Sequence, residues 1–333
     1  MQSRAAVTIL DIAREAKVSR TTVSAALGST GRVSGATREH VRAVATQLGY
    51  APNQAARNLR RSRTGAIGLH LPEKVTGLAY YMDFTFGVVD RASEDDVAVV
   101  LTSSSAHSSA LTAKITDGIV AVDLIDGDPI IGDLESRNIP LVTGEHGRQA
   151  VGRNGGTVWS DHRSSMLELL DHLYLRGSRR PAFLGPGRSS DWGRSLHRGY
   201  LEWCTRHGVQ PNAADLAFNA TAADVREKSL KLLRVDPRPD AIVCAPDGSA
   251  IGVLTAAAEC GLTPGEDLLV ASCVDSSVMQ MASPQITSIE LSPREMGQRC
   301  ADMLIRLIQE PGTGPWDEEH PTMLNVRAST RPI

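Results

Sequence analysis

Residues 7–63 read VTILDIAREAKVSRTTVSAALGSTGRVSGATREHVRAVATQLGYAPNQAARNLRRSR. Apolar residues recur along this stretch at helical spacing in three segments, and each segment follows a residue type that caps helices. The predicted helices follow Thr8, Ser19 and Ser34 and cover about residues 9–16, 20–27 and 35–48. Two short helices joined by a tight turn and backed by a third predict a helix-turn-helix unit, whose second helix enters the DNA major groove.

The charge of the chain is distributed unevenly. Residues 1–65 hold eleven Lys+Arg against three Asp+Glu, whereas the whole chain has a net charge of -3. The rest of the chain is therefore strongly acidic. A small basic module on an acidic body is typical of a protein that binds a polyanion. A solvated basic face is the alternative, and it does not explain why the charge coincides with the helical pattern.

Bulk composition limits the class of protein. At 333 residues, with 41% hydrophobic and 22% charged residues, the chain is expected to form two or three globular domains. It has no apolar run of eighteen residues and no apolar export signal after Met1, so we expect a cytoplasmic protein without a membrane segment. The five cysteines and nine histidines show no metal-binding spacing. The sequence therefore predicts no metal site, no cofactor and reduced thiols.

From Gly65 onward the pattern alternates between strands and helices. Apolar runs of strand length occur at 66–71, 97–101, 117–122, 139–143, 181–185, 241–244 and 268–272. Helical patterns separate several of them, at about 81–94, 164–175, 196–207 and 248–260. Continuous apolar strands between helices predict parallel sheets that are covered on both faces. The pattern is repeated after about residue 160, which predicts two α/β lobes with a ligand cleft between them.

Several motifs identify a resemblance. The segment Thr8–Ser24 (TILDIAREAKVSRTTVS), then Gly31-Arg-Val-Ser, Leu48-Gly-Tyr-Ala-Pro-Asn and Ala56-Arg-Asn-Leu closely resemble the LacI/GalR family of bacterial transcriptional regulators. The body resembles that family more loosely, for example at Asp117-Gly-Ile-Val. One departure is Lys17, where the family usually has Gly or Asn. The turn at that point often requires a left-handed backbone, which costs a non-glycine residue roughly 1 kcal/mol.

The resemblance implies roles in DNA binding for residues of the basic module. The residues implied to read bases are Arg20, Thr21 and Ala25, and those implied to contact phosphate are Thr22, Ser24, Arg32 and Arg60. Ala56 and Leu59 match a hinge that folds on DNA, where the leucine is wedged between base pairs in the minor groove. Solvation of the helix remains an alternative for Thr22 and Ser24. Packing of a hinge dimer remains an alternative for Leu59.

The resemblance also implies a small-molecule site in a two-lobed core like that of periplasmic sugar-binding proteins. The candidate effector-binding residues are Tyr80, Tyr81, Asp161, Trp192, Arg194, Asp247 and Asp275. Core packing is the alternative for the tyrosines, and helix capping or surface exposure is the alternative for Asp161 and Asp247. Leu196 and Val274 stand where family members commonly have a ligand-binding arginine and aspartate. These replacements leave open an effector that is less polar than a typical sugar, differently oriented or absent.

The predicted architecture is an all-α helix-turn-helix domain followed by an α/β core with parallel sheets. Its expected parts are the DNA-binding domain (1–51), the hinge (52–64) and the core (65–333), with lobe 1 at about 65–159 and 292–320 and lobe 2 at about 160–291 and 321–333. No leucine heptad follows the core, so we expect a homodimer. The predicted function is repression at a palindromic double-stranded DNA operator under the control of a sugar-like effector.

Two other classes of protein share parts of this pattern. Gly185-Pro-Gly187 after a strand resembles half of a dinucleotide-binding loop, but the third glycine is missing and a proline interrupts the loop. No catalytic serine motif is present either, so the sequence does not predict an enzyme. A transport-type solute-binding protein would share the core. The basic N-terminal module and the lack of an export signal favour the regulator.

Overall fold

The computed structural model describes residues 7–27, 33–50, 63–72, 79–103, 112, 114–128, 130–147, 151–217 and 220–330. Contacts divide the chain into two compact units, residues 1–62 and residues 63–333. None of the helices in the described ranges is long and apolar enough to cross a membrane.

The described residues of the smaller unit form three helices, α1 (Ile9–Glu15), α2 (Arg20–Leu27) and α3 (Gly35–Gln47). The caps form where the sequence predicts them, because Thr22 N donates to Ser19 Oγ (3.1 Å) and Thr37 N donates to Ser34 Oγ (3.2 Å). The core between the helices consists of Ile12, Ala16, Val23, Ala26, Val41, Val44 and Ala45. The predicted helix-turn-helix arrangement is confirmed.

Lys17, in the turn between α1 and α2, has a φ of 53°. This is the left-handed backbone that the resemblance implies for this position. A side chain with a Cβ is disfavoured there. The chain therefore stores a small strain in the turn that orients α2.

The first sheet of the larger unit has the strand order β11-β5-β4-β3-β1-β2, and every pairing in it is parallel. Its strands are β1 (Ala66–Leu71), β2 (Ala98–Ser103), β3 (Ile119–Val122), β4 (Leu141–Gly144), β5 (Gly155–Trp159) and β11 (Trp316–Glu319). The central strands β3 and β4 are buried throughout, as expected for a sheet covered on both faces.

The second sheet has the order β12-β10-β9-β8-β6-β7 and is parallel except for the antiparallel pair of β10 and β12. Its strands are β6 (Pro181–Pro186), β7 (Ala213–Leu216), β8 (Ala241–Cys244), β9 (Leu269–Ser272), β10 (Thr287–Glu290) and β12 (Met323–Asn325). The prediction of two mostly parallel α/β lobes is confirmed.

The helices of the larger unit cover these sheets. Those with bounds in the described part of the chain are α4 (Ala79–Glu94), α5 (Ile130–Ser136), α6 (His162–Leu175), α7 (Asp191–His207), α8 (Ala222–Leu233), α9 (Ala250–Glu259), α10 (Ser277–Met281) and α11 (Pro293–Gln309). Helices α4 and α11 cross closely, because a Cβ added to Gly297 would lie 2.2 Å from Phe84 O. Glycine is therefore needed at this crossing.

The chain passes between the two sheets three times, after β5, after β10 and after β11. His320 ties these passages together. Its backbone N donates to Trp159 O (2.7 Å), and its Nε2 lies 3.1 Å from Leu291 O. The backbone N–H and the buried imidazole of His320 therefore each join the segment after β11 to another of the connecting segments at the junction of the lobes.

Candidate functional site

Helix α2 divides into a buried face and an outward face. Val23 and Ala26 are buried against α1 and α3, whereas Arg20 and Thr21 are exposed and Ser24 and Ala25 are half-buried. At 100° per residue these last four side chains share one side of the helix, opposite the core. Thr22 lies nearer the buried face, and its hydroxyl is 2.8 Å from Ser19 Oγ. The structure thus brings the three predicted base-reading residues together, with Ser24 beside them.

The other predicted DNA contacts lie outside the described residues. These are Arg32, Ala56, Leu59 and Arg60. Their roles stay predictions from the resemblance.

The larger unit holds a small cavity between its two lobes. Three aromatic rings line it, from Tyr80 and Tyr81 in α4 and Trp192 in α7. The two tyrosine rings meet edge to face, with centroids 5.2 Å apart. The other lining residues are Asp123, Glu145, His162, Pro246, Asp247, Val274 and Leu291.

Most of the lining residues follow the carboxyl ends of parallel strands. Asp123 follows β3, Glu145 follows β4 and Asp247 follows β8, and the apolar pair Val274 and Leu291 follow β9 and β10. Ligands of open α/β sheets bind outside the carboxyl ends of the strands. The cavity lies where such ends from both sheets meet.

Two acidic residues of the cavity have an unusual backbone. Asp123 has a φ of 47° and Glu145 has a φ of 75°, both in the left-handed region. Glu145 is held there by a hydrogen bond from its N–H to Val158 O (2.8 Å), and Asp123 N donates to Gly144 O (3.1 Å). Strained backbone of this kind clusters at binding sites, because the surrounding structure must stabilise it.

Glu145 and His162 form a buried ion pair, with 2.8 Å between Glu145 Oε1 and His162 Nε2. The backbone N–H of Ser160 donates to the other carboxylate oxygen of Glu145 (3.3 Å). Although burial opposes protonation, the Glu145 carboxylate raises the pKa of His162. The pair joins the end of β4 to the start of α6, and so links the two lobes at the wall of the cavity.

Asp123 is buried and accepts a 2.6 Å hydrogen bond from the Tyr81 hydroxyl at Oδ2. Burial raises the pKa of Asp123 to about 6; the carboxylate of Glu145 adds to the rise, and the Tyr81 hydrogen bond opposes it. Burial likewise raises the pKa of Asp247, whose Oδ1 is buried without a hydrogen-bond partner among the described residues. The cavity therefore holds carboxyl groups whose charge is poorly solvated.

Three of the predicted effector-binding residues, Asp161, Arg194 and Asp275, do not line this cavity, and their role in effector binding stays a prediction. Asp161 caps α6, accepting hydrogen bonds from Ser164 N (2.9 Å) and Ser164 Oγ (2.6 Å). These bonds lower the pKa of Asp161 against the effect of its burial. The capping alternative that the sequence left open is thus the observed arrangement of this carboxylate.

Arg194 and Asp275, the other two residues, form ion pairs. Arg194 Nη1 donates to Asp126 Oδ1 (2.9 Å), and Asp126 N donates to Ser189 O (2.8 Å). These bonds join α7 of the second lobe to the loop after β3 of the first. Arg327 donates to both oxygens of Asp275 (2.9 and 2.5 Å), which lowers the pKa of Asp275 despite its burial.

Sequence reasoning missed Asp123, Glu145 and His162. The signal was present for two of them, because Asp123 directly follows the predicted strand at 117–122 and Glu145 lies two residues beyond the predicted strand at 139–143. Polar residues at the carboxyl ends of parallel strands point to a ligand site. Only the fold brings His162 to Glu145.

Comparison with known proteins gives matches over both units. Residues 8–53 match the model of bacterial regulatory proteins of the lacI family, and residues 170–330 match that of the periplasmic binding protein-like domain. Catabolite control protein A of Staphylococcus xylosus is 26% identical over 335 residues, covering 98% of this chain and 99% of that protein. The chain belongs to the LacI/GalR family of bacterial regulators.

Solved structures of LacI-family regulators resemble the whole chain. The lac repressor dimer bound to operator and the anti-inducer ONPF has a TM-score of 0.80 at 25% identity, with 98% of this chain and 100% of that chain covered. The cellobiose complex of the regulator CelR has a TM-score of 0.72 at 26% identity, with coverages of 97% and 99%. This LacI-family chain is thus a transcriptional regulator, and not an enzyme, with a DNA-binding helix-turn-helix and an effector-binding domain.

Proposed function

We propose that this LacI-family regulator is a cytoplasmic repressor that binds a palindromic operator as a homodimer and responds to a small effector in the cavity. The outward face of α2 carries the proposal, since Arg20, Thr21, Ser24 and Ala25 point away from a helix whose other side is buried. Such a helix can enter a major groove without unfolding its own domain.

The chemistry of this face suits base recognition. The Arg20 guanidinium matches the O6 and N7 acceptors of guanine, and the Ala25 methyl group suits the thymine methyl. Thr21 and Ser24 carry short hydroxyls that serve either a base edge or a phosphate. We assign Arg20, Thr21 and Ala25 to base reading and Thr22, Ser24, Arg32 and Arg60 to phosphate contact, with Ala56 and Leu59 in the minor groove.

A gel shift with DNA fragments from upstream of the chain's own gene, at low salt, tests operator binding. Arg20→Ala is expected to relax the preference at one base pair in each half-site, a change of about 1–3 kcal/mol in discrimination. Arg14→Ala, which removes an exposed arginine of α1, is the matched control and should weaken binding equally for all sequences. Equal loss of discrimination in both variants would contradict the assignment of Arg20.

An exposed apolar stripe on α4 supports the homodimer. Met82, Phe86 and Val89 are 40–47% exposed and lie at positions i, i+4 and i+7 of the helix, on one side of it. Leu101 of the outermost strand β2 is also exposed. Several large apolar side chains on one helix face are typical of a surface that a partner covers, and two-fold dimers are the commonest such assemblies.

Sedimentation of the full chain tests this interface. Phe86→Glu should shift the chain toward monomer and weaken binding to a two-half-site operator more than to a single half-site. Leu175→Glu is the control, because Leu175 is an 83% exposed residue outside the stripe. A dimer unaffected by Phe86→Glu would place the interface elsewhere.

We propose that the effector is a ring-bearing, sugar-like metabolite held by Tyr80, Tyr81, Trp192 and Asp247. Rings stack on aromatic faces, and the solved CelR complex holds cellobiose. The effector can change operator affinity only if it binds the DNA-competent and DNA-incompetent states unequally. Operator titrations with and without a bound ligand test this coupling, and identical operator affinity in both would contradict it.

A further inference from the structure

We propose that the ring ligand of this cavity carries a protonated nitrogen, and that Asp247 is the specificity-determining residue that receives it. The inference rests on the proposed function, since it assigns a ligand class to the same effector site. It narrows the sugar-like metabolite to a cationic one, such as an amino sugar or another ring amine.

The charges around the cavity favour a cation. The described residues that line it include three carboxyl groups, those of Asp123, Glu145 and Asp247, and no lysine or arginine. The single imidazole, His162, is already paired with Glu145. An anionic ligand, such as a sugar phosphate, would enter a buried site rich in carboxylates with no cation to receive it.

The carboxylate oxygens differ in what already binds them. Both oxygens of Glu145 are engaged, by His162 and by Ser160 N. Oδ2 of Asp123 accepts the Tyr81 hydroxyl. Ser276 and the backbone N–H groups of Gly248 and Ala79 hydrogen-bond the Asp247 carboxyl and oppose the rise of its pKa, but its buried Oδ1 has no partner among the described residues. A buried acceptor of this kind is costly until a donor reaches it, so Asp247 is the residue toward which the charged group of the ligand would be drawn.

The two hydroxyl groups of the lining are not available as donors to a neutral polyol. The hydroxyl protons of Tyr80 and Tyr81 are already directed at Met296 Sδ (3.5 Å) and Asp123. An ammonium group is well matched to such an acceptor-rich lining, because it has three donors and no acceptor. A sugar hydroxyl has one donor, and its two oxygen lone pairs need donors from the lining.

The aromatic and apolar residues of the lining also suit a ring that carries an ammonium group. Tyr80, Tyr81 and Trp192 bring three aromatic rings to the lining, and the faces of such rings attract cations. Val274 and Leu291 offer apolar surface to the carbon skeleton of a ring. Carboxylates and aromatic rings around one small cavity form the usual environment for an organic ammonium ion.

Isothermal titration calorimetry on the full chain at pH 7.5, with matched probe pairs, tests the inference. Glucosamine and glucose form one pair, benzylamine and benzyl alcohol form the other, and glucose 6-phosphate is the anionic probe. We expect the amine of at least one pair to bind about tenfold or more tightly than its neutral partner, with glucose 6-phosphate the weakest of the sugars. Preference within the first pair indicates an amino sugar, and preference within the second indicates an aromatic amine.

Asp247→Asn should remove about tenfold of the amine affinity and leave the neutral partner nearly unchanged, because the amide keeps the shape and loses the charge. The control is Asp96→Asn, in an exposed turn at a φ of 55° that Asn adopts readily. Amine binding to the unaltered chain should also tighten from pH 5.5 to 7.5, a measurement that needs no variant. The titratable side chains that line the cavity are Asp123, Glu145, His162, Asp247, Tyr80 and Tyr81, and Asp191 lies nearby.

Neutral or anionic probes that bind as tightly as the amines would overturn the inference, as would amines that fail to bind or an amine preference that survives Asp247→Asn. The calorimetry uses no DNA, so it decides the ligand class independently of the gel shift. Operator binding together with a neutral or anionic preference would refute the cationic ligand alone. Failure to bind any operator fragment would refute the repressor alone.

Discussion

Replacing Asp123 by Asn removes a carboxyl group that the fold holds in a poorly solvated place. The side chain is buried at the end of β3, and burial together with the nearby Glu145 carboxylate raises its pKa from 3.8 to about 6. Asn keeps an oxygen that accepts the Tyr81 hydrogen bond and cannot ionise. We therefore expect Asp123→Asn to stabilise the larger unit at neutral pH.

The sign and size of this stabilisation follow from the raised pKa of Asp123. Between pH 4 and 6 the folded chain holds the Asp123 proton more tightly than the unfolded chain, so the free energy of unfolding falls as the pH rises through this window. A shift from 3.8 to about 6, at ~1.4 kcal/mol per pKa unit, gives about 3 kcal/mol. The gain from Asp123→Asn should thus be near zero at pH 4 and reach about 3 kcal/mol above pH 7.

Urea unfolding followed by tryptophan fluorescence measures this difference, because all four tryptophans (Trp159, Trp192, Trp203 and Trp316) lie in the larger unit. Asp96→Asn, at an exposed turn, controls for the loss of one surface charge. A gain from Asp123→Asn that is the same at pH 4.5 and pH 7.5, or no gain at either, would refute the reasoning. The stabilised variant should also bind a cationic ligand less tightly, as expected where a binding site is destabilised for function.

Three further changes have defined outcomes. Gly297→Ala should cost about 1–3 kcal/mol of unfolding free energy, because its Cβ would lie 2.2 Å from Phe84 O, and unchanged urea stability would refute this. Arg194→Ala removes the ion pair with Asp126 between the lobes; small-angle scattering without ligand should detect a more open core, with Arg198→Ala as an α7 control. Lys17→Gly removes the strain of the left-handed backbone at a φ of 53°, so the free energy of opening α1 and α2 should rise by about 0.5–1 kcal/mol. Slower amide hydrogen exchange in these two helices would measure the rise.

Local sequence was sufficient for the smaller unit. The capping residues Ser19 and Ser34 and the helical spacing of the apolar residues predict α1, α2 and α3, since capping and periodicity act within a few residues of the chain. Likewise, the run at 66–71 coincides with β1 and the run at 241–244 with β8. The later start of β3, at residue 119, reflects ladder pairing that a single apolar run does not encode.

The lining of the cavity was predictable only in part. Tyr80, Tyr81, Trp192 and Asp247 were singled out from the sequence and lie around the cavity, although their role in effector binding stays a prediction, whereas Asp161 caps a helix through Ser164, a neighbour three residues away. The caps of α2 and α3 were predicted from this kind of local signal, and the same signal was available for Asp161. Arg194 could not have been assigned in this way, because Asp126 lies 68 residues away along the chain.

The sequence by itself determined helix α2, the alternation of strands and helices and the charge contrast between the two units. Each of these depends on spacing or composition within a short segment. Only the tertiary structure decided which charges meet. It paired Glu145 with His162, turned Arg194 toward Asp126 and left one oxygen of Asp247 without a described partner. The physical reason is that the energy of a buried charge depends on its nearest neighbours in space, and parallel strands bring those neighbours from distant parts of the chain.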